Sequence, residues 1–152
     1  MKRLAICLTA TVLLATACME DTLLHCYKPI SQEGWLQRDT VCFDVPEASQ
    51  AMHGTLTIGL RTVANLPMQD IVLAIEQRLD SPQVVRCDTL RYPLTDAEGR
   101  ALAPGINSHQ YETQHIPFQL SAGQHGTIRI HHLMSRETMT GITEVGIRID
   151  KE

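Results

Sequence analysis

Between Thr40 and Ile149 the apolar residues of this chain recur at every second position in one run after another, and this period of two constrains the fold more than any other feature. In an extended strand successive side chains point to opposite faces, so alternation marks a half-buried strand, whereas an amphipathic helix needs spacings of three and four. Thr40 to Val45 sets Val41, Phe43 and Val45 on one face and Cys42 and Asp44 on the other. Gly54 to Val63 sets Leu56, Ile58 and Leu60 against Thr55, Thr57 and Arg61. Val84 to Leu94, Gln114 to Leu120, Gly126 to Leu133 and Glu144 to Ile149 read as further strands; Ile128, Ile130 and His132 share one face, as do Val145, Ile147 and Ile149. Ile71 to Leu79 fits both templates, since Ile71, Ala74, Ile75 and Leu79 also form a helical stripe; its β-branched residues and strand neighbours favour a strand.

Turn signals separate these runs, at Asp80-Ser81-Pro82 and at Thr95 to Gly99. Seven or eight short strands divided in this way predict an all-β fold, an antiparallel β-sandwich of the jelly-roll or immunoglobulin-like kind, expected over residues 34–152. A chain of 152 residues suffices for one such domain with its own core. Residues 100–111, with Pro104, Gly105, Asn107 and Ser108 and no clear period, read as a long loop, either a functional excursion or a plain connection. Met134 to Gly141 reads as a short turn crossing to the last strand.

The first residues have a different character. Lys2 and Arg3 are followed by an uncharged run from Leu4 to Ala17, the pattern of a secretory signal, and the run is shorter than the roughly 20 apolar residues a bilayer span needs. It ends at Leu14-Ala15-Thr16-Ala17-Cys18, which resembles a lipobox. Residues 1–17 are therefore expected to be a signal peptide, and Cys18 the lipidated first residue of the mature chain, carrying palmitate-type acyl chains. Buried acyl carbons contribute about 0.8 kcal/mol each, so two or three chains hold a protein at a membrane durably. Residues 18–33 read as a tether, with order starting near Tyr27; Glu20 and Asp21 behind the cysteine resemble the surface-export signal of Bacteroidetes lipoproteins or are simply a solvated lead-in.

Loss of Lys2 and Arg3 leaves 11 of the 13 basic residues against 17 acidic ones, moving the formal charge from -4 to -6. Such a surface is not built to hold phosphate backbones, so no nucleic-acid partner is expected. Three cysteines remain after Cys18, namely Cys26, Cys42 and Cys87, in a compartment that permits disulfides; at most one intramolecular bridge can form, and the sequence does not choose the pair.

No Gly-x-Ser-x-Gly turn, phosphate loop or His-Glu-x-x-His pair is present, and the chain reads as a non-enzyme with no cofactor. His131 and His132 are neighbours in a strand and face opposite sides, so they are expected to be one exposed and one packed, hydrogen-bonded imidazole, without a metal. Asp88 and Asp96 are read as solvated strand-edge and turn residues rather than an acid and base pair. Trp35, Phe43, Tyr92 and Tyr111 are expected to pack the core rather than form a sugar-stacking platform.

The run Met134-Ser135-Arg136, followed by Met139 to Ile149, resembles the closing signature of the gliding-motility lipoprotein H family of Bacteroidetes, a Met-Arg and then Leu-x-Gly-Ile-x-Asp-Val-Gly. Collinear with it are the lipidated cysteine, Trp35 before Asp39 and Phe43, Arg61 in an Ile-Gly-Leu-Arg strand, and Cys87-Asp88-Thr89-Leu90 before Gly99. Departures mark a diverged member: Glu144 replaces Asp, Ser135 separates Met134 from Arg136, Leu66 to Ile71 lacks the aromatics of Tyr-Pro-Tyr-x-Asn-Leu, and a tryptophan near Arg100 to Leu102 is missing. Within the signature Gly141 can turn the chain at positive φ, and Gly146 leaves room for a bulky neighbour. Arg136 and Arg148 are the candidate partner contacts. The resemblance implies a lipid-anchored lipoprotein of the cell envelope and outer membrane that supports surface machinery through protein partners; a glycan- or peptide-binding sandwich module is the alternative.

Overall fold

The computed structural model describes residues 22–113 and 115–152, and these form strands, turns and loops with no helix. Alternation becomes pairing throughout: β1 (Thr22–Pro29), β2 (Trp35–Leu36), β3 (Val41–Val45), β4 (Met52–Val63), β5 (Asp70–Asp80), β6 (Val84–Pro93), β7 (Ser108–Glu112), β8 (Ile116–Leu120), β9 (His125–His132), β10 (Thr138–Met139) and β11 (Ile142–Lys151). One sheet runs β1-β11-β4, with β7 and β8 both along the far edge of β4; a second runs β3-β9-β5-β6; β2 and β10 form a small ribbon. All described pairs are antiparallel. The expected all-β sandwich is the fold. It holds eleven strands among the described residues rather than seven or eight, because strands hide where the apolar alternation is broken.

The core is the set of inward positions that alternation picks out. Leu56, Ile58 and Leu60 of β4, Ile71, Leu73 and Ile75 of β5, Ile128 and Ile130 of β9, and Val145, Ile147 and Ile149 of β11 are fully buried, with Phe43, Phe118 and Trp35. Burying one such side chain contributes roughly 1.5–3 kcal/mol, so the two inner faces supply the drive to fold. Ile71 to Leu79 is a strand, and its alternative helical stripe is not used.

Three boundaries differ from expectation. Residues 22–29, read as tether, form β1, paired with β11 from Thr22↔Asp150 to Pro29↔Glu144, so the sandwich begins before residue 34. A register shift between Thr22 and Leu24 breaks the period there, while the outward positions hold His25 and Tyr27, leaving no apolar-polar contrast to detect. Part of the 100–111 loop is strand: β7 and β8 lie along the same edge of β4, with His109, Tyr111 and Thr113 inward before the break and Ile116, Phe118 and Leu120 inward after it. That change of phase between Thr113 and Ile116 defeats a fixed-period reading. Met134 to Gly141 includes β10, whose Met139 pairs with Trp35.

Candidate functional site

The connections sort by length at the two ends of the sandwich. Turns 81–83 and 121–124 and loop 46–51 lie at the end where β1 begins and β11 finishes, cross-tied by Ala48 N–H to Gln124 O (3.0 Å), Gly123 N–H to Ala48 O (2.7 Å) and the Gln124 amide to Pro82 O (2.7 Å). Segments 30–40, 64–69, 94–107 and 133–141 all gather at the opposite end, away from Thr22. They too are interlocked: Gln37 N–H donates to Glu137 O (2.7 Å), Leu94 N–H to Gln69 O (2.8 Å) and Val63 N–H to Gly141 O (2.9 Å). Of the large apolar side chains exposed among the described residues, Val63, Leu102, Ile106 and Leu133 are at this loop-bearing end, with Ile106 90% exposed, and only Val84 and Val85 lie elsewhere.

Trp35 closes the core beneath these loops. Its indole N–H donates to Asp39 O (3.0 Å), and its ring meets His132 edge to face at 5.4 Å. His132 is fully buried, with Nε2 3.1 Å from Trp35 O, and burial pulls its pKa below the usual value. His131 is half-buried on the outer face, so the two imidazoles split between faces as expected. Among the described residues no group of three or more His, Cys, Asp or Glu is placed to hold a metal.

Arg136 and Arg148 stand on different elements. Arg136 is exposed beside a shallow cleft of about 250 Å³ at the loop-bearing end, with Met68, Asp70, Met134 and Met139 in its walls. Arg148 projects from the outer face of β11, its Nε 2.7 Å from Asp150 and a terminal nitrogen 3.6 Å from Glu112. Asp150, which also accepts from the Thr22 hydroxyl at 2.7 Å, has its pKa lowered by those two hydrogen bonds against an opposing burial effect. Cys18 lies outside the described residues.

The carboxylates Asp88 and Asp96 are separate and occupied. Asp88 meets Arg86 Nε at 3.0 Å, and Asp96 accepts from Arg100 (N–H 2.8 Å, Nε 2.7 Å) and from Glu98 N–H. Trp35, Phe43 and Tyr111 are buried and Tyr92 packs against them, so no aromatic platform faces solvent from this set. Cys26, Cys42 and Cys87 are free thiols. Cys42, Arg129, Glu76 and Cys87 form one row across the second sheet, three strand spacings or about 14 Å end to end, beyond disulfide reach.

One assembly was not foreseen as a unit. On the outer face of the first sheet the Tyr27 ring lies across Gly146 and Gly59, which are paired to each other on β11 and β4. The Arg61 guanidinium stacks over that ring at 4.1 Å and binds Glu144 at 2.6 Å. The two glycines at facing outward positions were its sequence signal. Burial raises the Tyr27 pKa, with Arg61 opposing.

The profile of the GldH lipoprotein family matches residues 22–149, from the first strand to the end of the last inward triplet. The chain belongs to the GldH lipoprotein family. A curated relative, the gliding motility lipoprotein GldH of Flavobacterium johnsoniae, is 24% identical over 165 residues, covering 99% of this chain and 98% of its own. Among solved structures, the Listeria monocytogenes EGD-e protein lmo2446 aligns over 84% of this chain but only 11% of its own, at 16% identity and a TM-score of 0.43, a likeness too loose to say anything about ligands. In this GldH chain the closing signature has a structural account. Gly141 adopts φ +92°, Glu144 anchors Arg61, Gly146 receives Tyr27, and Val145, Ile147 and Ile149 fill the core.

Proposed function

We propose that this chain is a non-catalytic accessory lipoprotein of the cell envelope, held at the outer membrane by acyl chains on Cys18, with its loop-bearing end engaging protein partners of a surface or motility machinery. The observation that carries the reading is the closeness of anchor and fold. Thr22, the first residue of β1, follows Cys18 by four positions, a stretch that spans at most about 14 Å. An anchor at Cys18 keeps the short-turn end beside the lipid and turns the loops bearing Ile106, Leu102 and Arg136 away from it. The pairing of Asp88, Asp96, Glu144 and Asp150 with arginines supports a scaffold role, since each carboxylate already has its counter-ion.

Palmitate labelling and a carbonate wash of envelope membranes test the anchor: Cys18→Ala is expected to lose both label and membrane retention. A Cys18→Ala protein that stays in the washed membrane, labelled like its parent, defeats the reading. Photo-crosslinkers at Ile106 and at Gln50 test the polarity, with protein partners expected from the first position alone.

A further inference from the structure

Among the described residues the two main sheets have four strand edges, and three of them are broken, short or capped. Edge strands expose unpaired backbone donors and acceptors and are normally blunted by bulges, proline, lysine or short length. On the first sheet, β1 carries a register shift at Thr22/Leu24 and ends in Pro29. The opposite edge is broken between β7 and β8 and contains Pro117, and the carbonyls of Glu112 and Pro117 accept from the Tyr92 hydroxyl and the Arg86 guanidinium. On the second sheet β3 has five residues and is followed by Pro46. The remaining edge, β6, runs ten residues in unbroken register against β5, with no lysine or glycine and with proline only at its last position; its one protective device is the charged set Arg86, Asp88 and Arg91, and it exposes Val84 (44%) and Val85 (56%).

We propose that the free edge of β6 pairs antiparallel with β6 of a second copy of this chain, joining two four-stranded sheets into one continuous sheet centred on Cys87. The charges on the strand select both occupant and register. A two-fold pairing sets residues of the same face opposite one another, so it must centre on a residue. Centred on Arg86 or on Asp88, it places like charges directly opposite, which is destabilising. Centred on Cys87, it sets Arg86 against Asp88 of the second copy twice over, Val85 against Thr89, and Val84 against Leu90. In the single chain Arg86 folds back along its own strand onto Asp88 through Nε and Nη2, at 3.0 and 3.1 Å, while Nη1 stays on Pro117 O, and in the dimer the contacts to Asp88 pass to the second copy. The edge is thus complementary to itself, a condition that an unrelated extended segment has no reason to meet. This pairing goes beyond the proposed anchor and does not depend on it.

The register brings the two Cys87 Cα atoms to about 4.5–5.5 Å, the spacing of facing antiparallel residues. Cys87 is exposed and free, so it reports the contact directly. In envelope membranes holding the full-length chain with Cys42→Ser, a short bismaleimide is expected to yield a species of twice the mass, and adding Cys87→Ser is expected to abolish it. Val85→Lys, and independently Thr89→Lys, are expected to cut the crosslinked fraction at least about tenfold while the melting temperature holds, because both side chains are exposed. Absence of the doubled species, its persistence with Cys87→Ser, or capture of Cys87 by a different protein overturns the proposal.

Discussion

Adding a single methyl group at Gly146 is expected to destabilise the protein, and only because of Tyr27. A Cβ built there stands 2.5, 2.6 and 2.7 Å from Cδ1, Cε1 and Cγ of the Tyr27 ring. These are the root and near edge of the side chain rather than a flexible tip, and the Arg61 guanidinium, held by Glu144, covers the ring. The ring must lift and lose its contact with both glycines. Overpacking of this kind costs about 1–3 kcal/mol, whereas replacing a strand glycine with alanine in open space gains roughly 0.5–1 kcal/mol. For Gly146→Ala a net loss of about 1–2 kcal/mol follows, lowering the melting midpoint of a domain this size by about 4–7 °C. In a Tyr27→Ala background the obstacle is gone, and the same substitution is expected to be neutral or slightly stabilising. Urea unfolding of the four proteins, with unchanged slopes, measures the coupling. Equal effects of Gly146→Ala with and without Tyr27 would refute the reasoning.

His132 predicts a pH dependence. Its folded-state pKa lies below the ordinary 6.5, so below that pH the unfolded chain takes up a proton that the folded chain refuses. Stability is full above pH 6.5 and falls toward acid by up to about 1.4 kcal/mol per pH unit until the folded-state value is passed; His132→Phe is expected to flatten that part of the profile, followed by denaturant melts from pH 7 to 5. Ile147 is 1% exposed at the centre of the first sheet, and Ile147→Asp is expected to abolish cooperative unfolding, as a soluble variant with a sharp melt would disprove.

Much of the fold is legible in the residues themselves. Val41, Phe43 and Val45, or Val145, Ile147 and Ile149, announce their inward face because each strand keeps an even phase from end to end. His132 is legible for the same reason, since its parity matches Ile128 and Ile130. Tyr27 and β1 were not legible, because an outward aromatic lying flat on glycines erases the contrast between faces. β7 was hidden by the change of phase between Thr113 and Ile116 and by inward positions filled with His109 and Tyr111 instead of aliphatic groups. The loop-bearing end was half legible. Arg136 and the 100–111 segment were marked out, but their gathering with 30–40 and 64–69 at one end was not.

The alternation by itself determined an all-β chain and the inward residues of its regular strands, because these depend on side chains a few positions apart, and the closing run from Met134 to Ile149 carried the family resemblance. Only the tertiary structure decided which strands are neighbours, which edge is left bare, and that Tyr27, Gly59, Arg61 and Gly146 meet. The physical reason is range. Local periodicity records which way a side chain points, while pairing across the sheet joins positions such as Thr22 and Asp150, whose association is fixed by burying the whole inner face at once.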